Sequence, residues 1–289
     1  MTILVIGASG AIGLPTIRHL VKRGAKIRAL SSKESSAANL KSLGVAETVI
    51  GDLTSEADVK RAMAGVTSVM HIPPRFREDE AEIGLRVLKA AVDAKVGHFV
   101  FSSVFHPQMR DMDHHFSKLV LEEALIDSGL SFTIMQPAMF MQNIRLEWPG
   151  IRDRGVYSRP YSADQRMAMV DTEDYGEAAA RVLTEAGYRG AVFELAGPDQ
   201  LTTAEMASVI AEEWGKPVRA EKRSLDEWRS WAKAQNWSPW SIEAYAKMCK
   251  HYDEHGYAGG NPLVLSAILG RAPGGYRAFI KRFIAQQRS

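Results

Sequence analysis

The chain has 289 residues, of which 46% are hydrophobic and 24% are charged, a composition typical of globular proteins and unlike that of disordered chains. A formal net charge of +2, with no basic block and no apolar run long enough to cross a bilayer, argues against nucleic acid or a membrane as a partner. The single cysteine, Cys249, excludes an intrachain disulfide, and the amino terminus enters a strand pattern without a signal peptide, so a cytoplasmic location is expected.

In the first half of the sequence, short apolar runs rich in β-branched residues alternate with helical patterns. The predicted strands are residues 3–7, 26–31, 47–52, 68–72, 99–103 and 131–136. The predicted helices are residues 11–23, 35–43, a segment capped by Thr54 or Ser55 and running to residue 64, 80–95 and 114–127. This alternation predicts an α/β fold of the Rossmann type, a doubly wound parallel sheet with helices on both faces.

The second half is less regular. Residues 150–165, rich in Gly, Pro, Tyr and Arg, are predicted to form an exposed loop. A short strand at 168–171, a helix at 172–186 capped by Thr172, and a seventh strand at 192–195 follow; from residue 202 the pattern is mostly helical and ends with a helix at 276–287. We therefore predict an NAD(P)-binding Rossmann domain over residues 1–150 and a smaller, mostly helical substrate lobe over 151–289, with segments that return to the Rossmann core.

A glycine-rich turn, GASGAIG at residues 7–13, directly follows the first strand and opens the next helix. In that context Gly7 permits a tight turn, Gly10 lets the backbone approach a pyrophosphate, and Gly13 lets the helix pack closely on the strand. The helix N-terminus also offers free amides and a favourable dipole to an anion. A turn that serves packing alone is the alternative. The predicted dinucleotide contacts here are Gly7, Ser9, Gly10, Ala11, Ile12 and Gly13.

The end of the second strand indicates which dinucleotide is bound. An acidic residue there would bind the ribose hydroxyls of NAD and repel a 2′-phosphate, but this strand ends in Ser31, Ser32 and Lys33. These residues favour NADPH, with NAD left open, and the alternative is a solvated polar turn. At the end of the third strand, Asp52 and Leu53 are expected beside the adenine, although Asp52 is equally suited to forming a turn.

A helical stripe turns two titratable side chains towards the sheet. Residues four apart share a helix face, so the apolar stripe through Leu121 and Leu125 extends back to Lys118 and His114. Lys118 is predicted to hydrogen-bond the nicotinamide ribose, and His114, with a reference pKa near neutrality, to exchange a proton. The alternatives are a solvated first turn and a surface pair between Lys118 and Glu122.

Other strand ends supply further candidates, because ligands bind at the carboxyl edge of such sheets. Ser102 and Ser103 end the fifth strand, and Ser103 is a catalytic candidate that could polarise a carbonyl, unless both hydroxyls only cap the strand. Ile72 and Pro73 end the fourth strand and are expected beside the cofactor. His71 is interpreted as a core histidine whose hydrogen bonds are made within the protein.

Several stretches of the sequence resemble the NmrA-like branch of the atypical short-chain dehydrogenases: FVFSSV, H...K..LE..L..SGL and FTIMQPAMFMQN within residues 99–143, then MVDTEDYGEAAARVL, FELAGPDQLTTAEMA and ILGRAP. The resemblance implies an NAD(P)-binding protein, often preferring NADPH, with a substrate cleft between the Rossmann core and the C-terminal lobe. It places Lys118 at the family lysine and His114 where the superfamily has a tyrosine. It also implies that Pro137, Phe140 and Asn143 line the nicotinamide end of the cleft. The family often has arginine where this chain has Ser32.

Two functions follow from these observations. The first is an NADPH-dependent oxidoreductase that reduces a quinone, carbonyl or activated double bond, with Lys118, His114 and Ser103 as catalytic residues and no metal. The second is a non-catalytic NAD(P)-sensing regulatory protein that acts through protein partners. The inward stripe favours the first and the missing tyrosine the second. A small-molecule substrate is expected, and a homodimer or a regulatory protein partner is left open.

Overall fold

The computed structural model describes residues 1–288. Its strands are β1 (Thr2–Ile6), β2 (Lys26–Ser31), β3 (Glu47–Ile50), β4 (Ser68–His71), β5 (His98–Ser102), β6 (Phe132–Pro137), β7 (Met139–Phe140), β8 (Val156–Arg159), β9 (Met167–Val170), β10 (Ala191–Leu195), β11 (Gln200–Leu201) and β12 (Arg219–Lys222). Its helices are α1 (Gly13–Lys22), α2 (Glu34–Ser42), α3 (Glu56–Met63), α4 (Glu80–Asp93), α5 (Asp113–Asp127), α6 (Ile144–Arg154), α7 (Thr172–Thr184), α8 (Thr203–Trp214), α9 (Leu225–Ala234), α10 (Pro239–His255), α11 (Leu263–Leu269) and α12 (Tyr276–Arg288).

Within these residues, seven strands form one central sheet in the order β10-β6-β5-β4-β1-β2-β3, and every neighbouring pair is parallel. The predicted Rossmann-type α/β fold is confirmed, and the seventh strand is β10, which pairs with β6. The strand order reverses between β1 and β4, and a crevice at such a point is where ligands bind in open α/β sheets. All seven carboxyl ends meet at the same edge of the sheet, which we call the carboxyl edge.

The sheet is covered on both faces because alternate residues of each strand point to opposite sides. Ile3 and Val5 of β1 belong to a core that includes α1 and α7, whereas Leu4 and Ile6 belong to a second core with α3, α4 and α5. A Cβ on Gly84 of α4 would lie 2.6 Å from the Leu121 side chain, so α4 and α5 pack closely. These two helices carry side chains of the candidate site.

The C-terminal half builds a smaller lobe over the carboxyl edge. It contains the two-stranded parallel pair of β8 and β12, the three short strands β11, β9 and β7, and helices α8 to α10. The segment from α7 to β10 returns to the central sheet, and α7 packs along α1. The division at residue 150 stays a prediction. In the part of the chain described, no helix is both long and apolar enough to cross a membrane.

The prediction of an exposed loop at residues 150–165 is wrong. Helix α6 continues to Arg154 with Pro149 inside it, Gly155 ends the helix in the left-handed region at φ +66°, and β8 follows. Arg159 and Tyr161 are buried, because the C-terminal helices cover them. Gly and Pro indicated a loop, but here they mark a helix interior and its end. The predicted cap of α7 is also displaced by one residue, since the Asp171 side chain accepts from the Glu173 amide at 3.0 Å.

Candidate functional site

The glycine-rich turn lies at the carboxyl edge between β1 and β4. Gly7 has φ +78°, a left-handed conformation that glycine adopts without steric cost, and the Gly10 amide donates to the Gly7 carbonyl at 3.1 Å. A Cβ on Gly7 would lie 2.6 Å from the Ile72 carbonyl oxygen, so the predicted contact residue Ile72 adjoins the turn. A Cβ on Gly13 would overlap the carbonyl oxygens of Gly7 and Ala8, which explains why the helix needs glycine there.

The start of α1 presents unused hydrogen-bond donors. Ser9, Gly10 and Ala11 are exposed, and no side chain among residues 1–288 caps this helix. The amides of Ala11 and Ile12 donate to no group in the described part of the chain. Free amides at a helix N-terminus suit a phosphate, so this turn fits the pyrophosphate of a dinucleotide.

At the ends of β2 and β3, some polar side chains are already hydrogen-bonded within their own turns and others are exposed to solvent. The Ser31 hydroxyl is buried and bonds within its own turn, donating to the Lys33 carbonyl at 3.0 Å, so it is less open to a phosphate than predicted. Ser32 and Lys33 are exposed. Asp52 accepts from the amide and hydroxyl of Thr54 at 2.8 Å each, the arrangement of a turn-forming aspartate. The Leu53 side chain is half-buried against the second core.

A buried polar cluster lies between α4, α5 and the end of β4. We call it the Lys118 cluster, and it consists of His71, Glu80, His114 and Lys118, each at most 7% exposed. Lys118 forms an ion pair with Glu80 and donates to the His114 carbonyl oxygen at 3.2 Å. The stripe through Lys118 therefore faces inward, as the helical spacing predicts. The alternatives of a solvated turn and of a surface pair with Glu122 are wrong, because the ammonium is buried and its partner comes from α4.

The cluster keeps hydrogen-bonding capacity that residues 1–288 do not use. Oε2 of Glu80, Nδ1 of His114 and both ring nitrogens of His71 are buried without a partner. Lys118 has three donors and uses two of them within the protein. His71 is a buried core histidine as predicted, but the prediction that its hydrogen bonds are made within the protein is wrong. Orphaned buried groups are costly, and together these suit a ligand rich in hydroxyl and amide groups.

The electrostatics of the cluster keep its imidazoles neutral. Burial lowers the pKa of His71 to about 3, with the Lys118 charge acting in the same direction. Burial also holds the pKa of His114 well below its usual value, helped by His115 and Lys118. The expectation that His114 titrates near neutrality is therefore wrong, because burial penalises the imidazolium. Burial raises the pKa of Glu80, and the Lys118 charge opposes that rise.

The two serines at the end of β5 point to opposite faces of the sheet. Ser103 donates to Glu122 of α5, which also accepts from the Gln136 amide at 2.9 Å. Ser102 accepts from the Tyr175 hydroxyl at 2.7 Å, on the side of α7. Burial raises the pKa of Glu122, while the hydrogen bonds from Ser103 and Gln136 lower it. The structure thus brings Lys118 and His114 together, whereas Ser103 forms a separate network with Glu122.

The remaining predicted contacts lie around the same edge. Pro73 is half-buried just after β4, and the buried Pro137 ends β6, where its carbonyl accepts from the Phe105 amide at 2.9 Å. Phe140 packs edge-on against Tyr175 with ring centroids 5.5 Å apart. These residues surround the end of the sheet at which the smaller lobe begins.

The loop after β4 connects the Lys118 cluster to the smaller lobe. Phe76 stacks on His114 with ring centroids 4.4 Å apart, and its other ring contacts are with Trp237 and Tyr245. The Ser241 hydroxyl donates to the Phe76 carbonyl at 2.6 Å. Phe76 has φ +54°, an uncommon conformation for an aromatic residue, and these contacts hold it. The loop therefore links the first turn of α5 with α10.

Sequence reasoning missed Glu80, Glu122, Gln136 and Tyr175. Glu80 was open to detection, because the apolar stripe of α4 through Ile83 and Val87 extends back to it by one helical turn. The partners of Ser102 and Ser103 carry no comparable signal, since they come from α5, β6 and α7, distant in sequence. In residues 1–288, no group of three or more His, Cys, Asp or Glu side chains is placed to hold a metal ion.

Comparison with known proteins gives a family match and reductase relatives. The model of the NmrA-like family matches residues 1–267. The NAD(P)H azoreductase of Xenophilus azovorans is 29% identical over 227 residues, which cover 78% of each chain. The (4-alkanoyl-5-oxo-2,5-dihydrofuran-3-yl)methyl phosphate reductase of Streptomyces griseus subsp. griseus is 32% identical over 227 residues, again 78% of each chain.

Among solved structures, an NADPH-dependent quinone oxidoreductase from Escherichia coli in complex with NADPH is similar over almost the whole chain. The TM-score is 0.84, and the match covers 99% of this chain and 100% of that one at 24% sequence identity. At this identity the likeness establishes the shared fold, including the smaller lobe.

Proposed function

Because the chain belongs to the NmrA-like family, we propose that it is an NADPH-dependent oxidoreductase that reduces a small organic electrophile such as a quinone, a carbonyl compound or an activated double bond. Both relatives described above are reductases, and one of them is named for NAD(P)H. The residues at the carboxyl edge support the same chemistry.

The observation that carries the proposal is the buried ion pair of Lys118 and Glu80 with its unused atoms. The third N–H of Lys118 can donate, and Oε2 of Glu80 can accept. A hydroxyl group both donates and accepts, so the pair matches the ribose hydroxyls at the nicotinamide end of the dinucleotide. The glycine-rich turn would hold the pyrophosphate, with Ser32 and Lys33 near the 2′-phosphate.

Bound NADPH would supply the hydride. The protein would hold the substrate and stabilise the negative charge that develops on its oxygen, and a proton from water would complete the reduction. Burial keeps His114 neutral, so the positive charge near the substrate would be that of the Lys118–Glu80 ion pair and not an imidazolium, and it would act on the substrate oxygen through space. His114 can hold a hydrogen bond to the substrate, and Phe76 excludes water from the ring face it covers.

A dinucleotide-sensing role is the second candidate. The observation that favours it is the loop of Phe76, which joins the Lys118 cluster to the smaller lobe and would transmit dinucleotide binding to that lobe. Protein partners, a homodimer and a cytoplasmic location stay predictions under either function.

The test is NADPH oxidation by the full chain against quinones, aldehydes and enones. We expect Lys118→Ala to reduce kcat/KM about a hundredfold, because the nicotinamide loses its orientation. His114→Ala should lower the rate while leaving the pH profile near neutrality unchanged, since the imidazole is already neutral there. Lys89→Ala, which removes an exposed lysine paired with Asp93, is the matched control and should keep the wild-type rate.

Turnover that survives Lys118→Ala unchanged would place the chemistry away from this cluster. If the wild type binds NADPH tightly yet oxidises it with no substrate of the panel, the sensing function replaces the reductase.

A further inference from the structure

Arg159, the last residue of β8, is a buried cation in the smaller lobe. It is 4% exposed, and its guanidinium lies 5.1 Å from the Tyr157 ring and 5.8 Å from the Tyr161 ring. Nε and Nη2 both donate to the Tyr157 hydroxyl, at 3.1 and 2.6 Å. Nη1 has no hydrogen-bond partner among residues 1–288. The side of the guanidinium between Nε and Nη2 is thus occupied, and the end between Nη1 and Nη2 keeps its donors.

The positive charge of Arg159 is not matched by a carboxylate of its own. None of the described carboxylates forms an ion pair with it, and Glu147 of α6, whose charge acts on Arg159, pairs with Arg223 at 3.2 Å. Burial raises the pKa of Glu147, and the charges of Arg159 and Arg223 oppose that rise. Two guanidiniums therefore share one carboxylate. Buried arginines are almost always paired, so this one is set up for a partner outside the described chain.

The position of Arg159 is close to the candidate site. The Tyr161 hydroxyl donates to Sδ of Met139 at 3.8 Å, and Met139 lies in β7, just beyond the end of β6 and next to Phe140. Tyr245 is near enough for the Arg159 charge to act on it, and its ring is 5.4 Å from that of Phe76, which stacks on His114. Arg159 is therefore connected through Tyr161 to the strand β7 beyond β6, and Tyr245 connects its surroundings to the loop of Phe76.

We propose that Arg159 binds an oxyanion carried by the substrate, so that the preferred electrophile bears a carboxylate, sulfonate or phosphate group. The inference rests on the proposed reductase function and narrows its substrate class. A guanidinium whose Nη1–Nη2 end is open can hold two oxygens of such a group at once, and the phenol of Tyr157 fixes its plane. Nη1 is not among the fully enclosed side-chain atoms that lack a partner, so this end of the guanidinium can be reached from outside the protein.

The experiment compares anionic and neutral probes of nearly equal size. We would measure kcat/KM for NADPH oxidation with terephthalaldehydic acid against its methyl ester, and with naphthoquinone sulfonate against naphthoquinone. In Arg159→Met, the ratio of anionic to neutral kcat/KM should fall about tenfold or more, the value of a charge-assisted hydrogen bond. Arg159→Lys should lose part of that ratio. Arg166→Gln, which removes an exposed arginine paired with Glu205, should leave it unchanged.

An equal loss for both members of each pair, or an unchanged ratio, would show that Arg159 only supports the fold. Circular dichroism and melting curves identify a misfolded Arg159→Met, in which case the ratio in Arg159→Lys decides.

If the wild type reduces none of these probes, the proposed function fails and a binding measurement decides this inference separately. Calorimetry of the NADP-loaded protein with naphthoate, and with uncharged naphthamide as the control, should show naphthoate binding that Arg159→Met abolishes. Absence of naphthoate binding to the wild type, or binding that Arg159→Met retains, would overturn the proposal.

Discussion

Two cations are buried, Lys118 in the candidate site and Arg159 in the smaller lobe, and they are neutralised differently. Lys118 has a full carboxylate partner in Glu80 and lies beside neutral imidazoles, whereas Arg159 has only a phenol, because the nearby carboxylate of Glu147 forms its ion pair with Arg223. At Lys118 the charge is neutralised by Glu80, but one N–H donor and one carboxylate oxygen remain without a hydrogen bond, which suits uncharged hydroxyl groups. At Arg159 the positive charge has no carboxylate partner of its own, which suits an anion. Burial of a cation alone therefore does not indicate its ligand; the state of its partner does.

The largest expected effect is a difference in the free energy of unfolding between variants that remove Lys118 and variants that remove Arg159. Lys118→Met leaves Glu80 buried and unpaired, so the free energy of unfolding should fall by about 3 kcal/mol, and adding Glu80→Leu should restore most of it. Arg159→Met leaves no carboxylate without a cation, because Glu147 keeps Arg223, and should cost only about 1 kcal/mol. Urea unfolding of the three variants measures both. Equal losses for the two single changes would remove the distinction between them.

Acid should destabilise the protein through His71 of the Lys118 cluster. The pKa of His71 is lowered to about 3 in the folded chain from 6.5, so below pH 6.5 the unfolded chain binds a proton that the folded chain does not. Stability should therefore decrease as pH falls from 6.5 towards 5, with this one group contributing about 1 kcal/mol per pH unit. Repeating the urea unfolding with His71→Gln should give a shallower dependence, and the exposed His255→Gln should not. Parallel pH dependences for the wild type and His71→Gln would contradict the assignment.

The smallest effect is expected from a third cation, Lys33, which is exposed to solvent. NADPH should bind a few-fold more tightly than NADH at low salt, because exposed charge pairs contribute up to about 1 kcal/mol. Salt should reduce this preference by screening, and Lys33→Glu should abolish it. Calorimetric titration with both dinucleotides measures the ratio. A preference that persists in Lys33→Glu would place the 2′-phosphate elsewhere.

Much of the Lys118 side could be predicted from sequence because its signals are local. Buried strands, a glycine-rich turn and a four-residue helical spacing identified the carboxyl edge and the inward face of α5. The partner of Lys118 was not identified, because Glu80 lies 38 residues away and meets it only through the packing of α4 on α5. The neutral state of His114 was missed for the same reason, since its lowered pKa arises mainly from burial.

Arg159 was beyond sequence reasoning because its segment has the composition of a loop. Pro149 inside α6 and Gly155 at its end are residues that usually mark irregular structure, and they concealed a helix and a strand. Tyr157 and Tyr161 gave no alternating pattern that would distinguish a buried strand from a surface turn. Only the assembled lobe shows that the guanidinium is enclosed.

The contacts of Phe76 with Trp237 and Tyr245 also give the molecule a built-in optical reporter. All six tryptophans lie at residue 148 or later, and none lies in the sequence up to β6. Tryptophan fluorescence therefore observes α6, the smaller lobe and its junction with the loop after β4, while the glycine-rich turn contains no tryptophan. The rate of tryptophan quenching after mixing with dinucleotide would measure how fast the nicotinamide end binds beside the lobe. Circular dichroism would report on the backbone of both halves together.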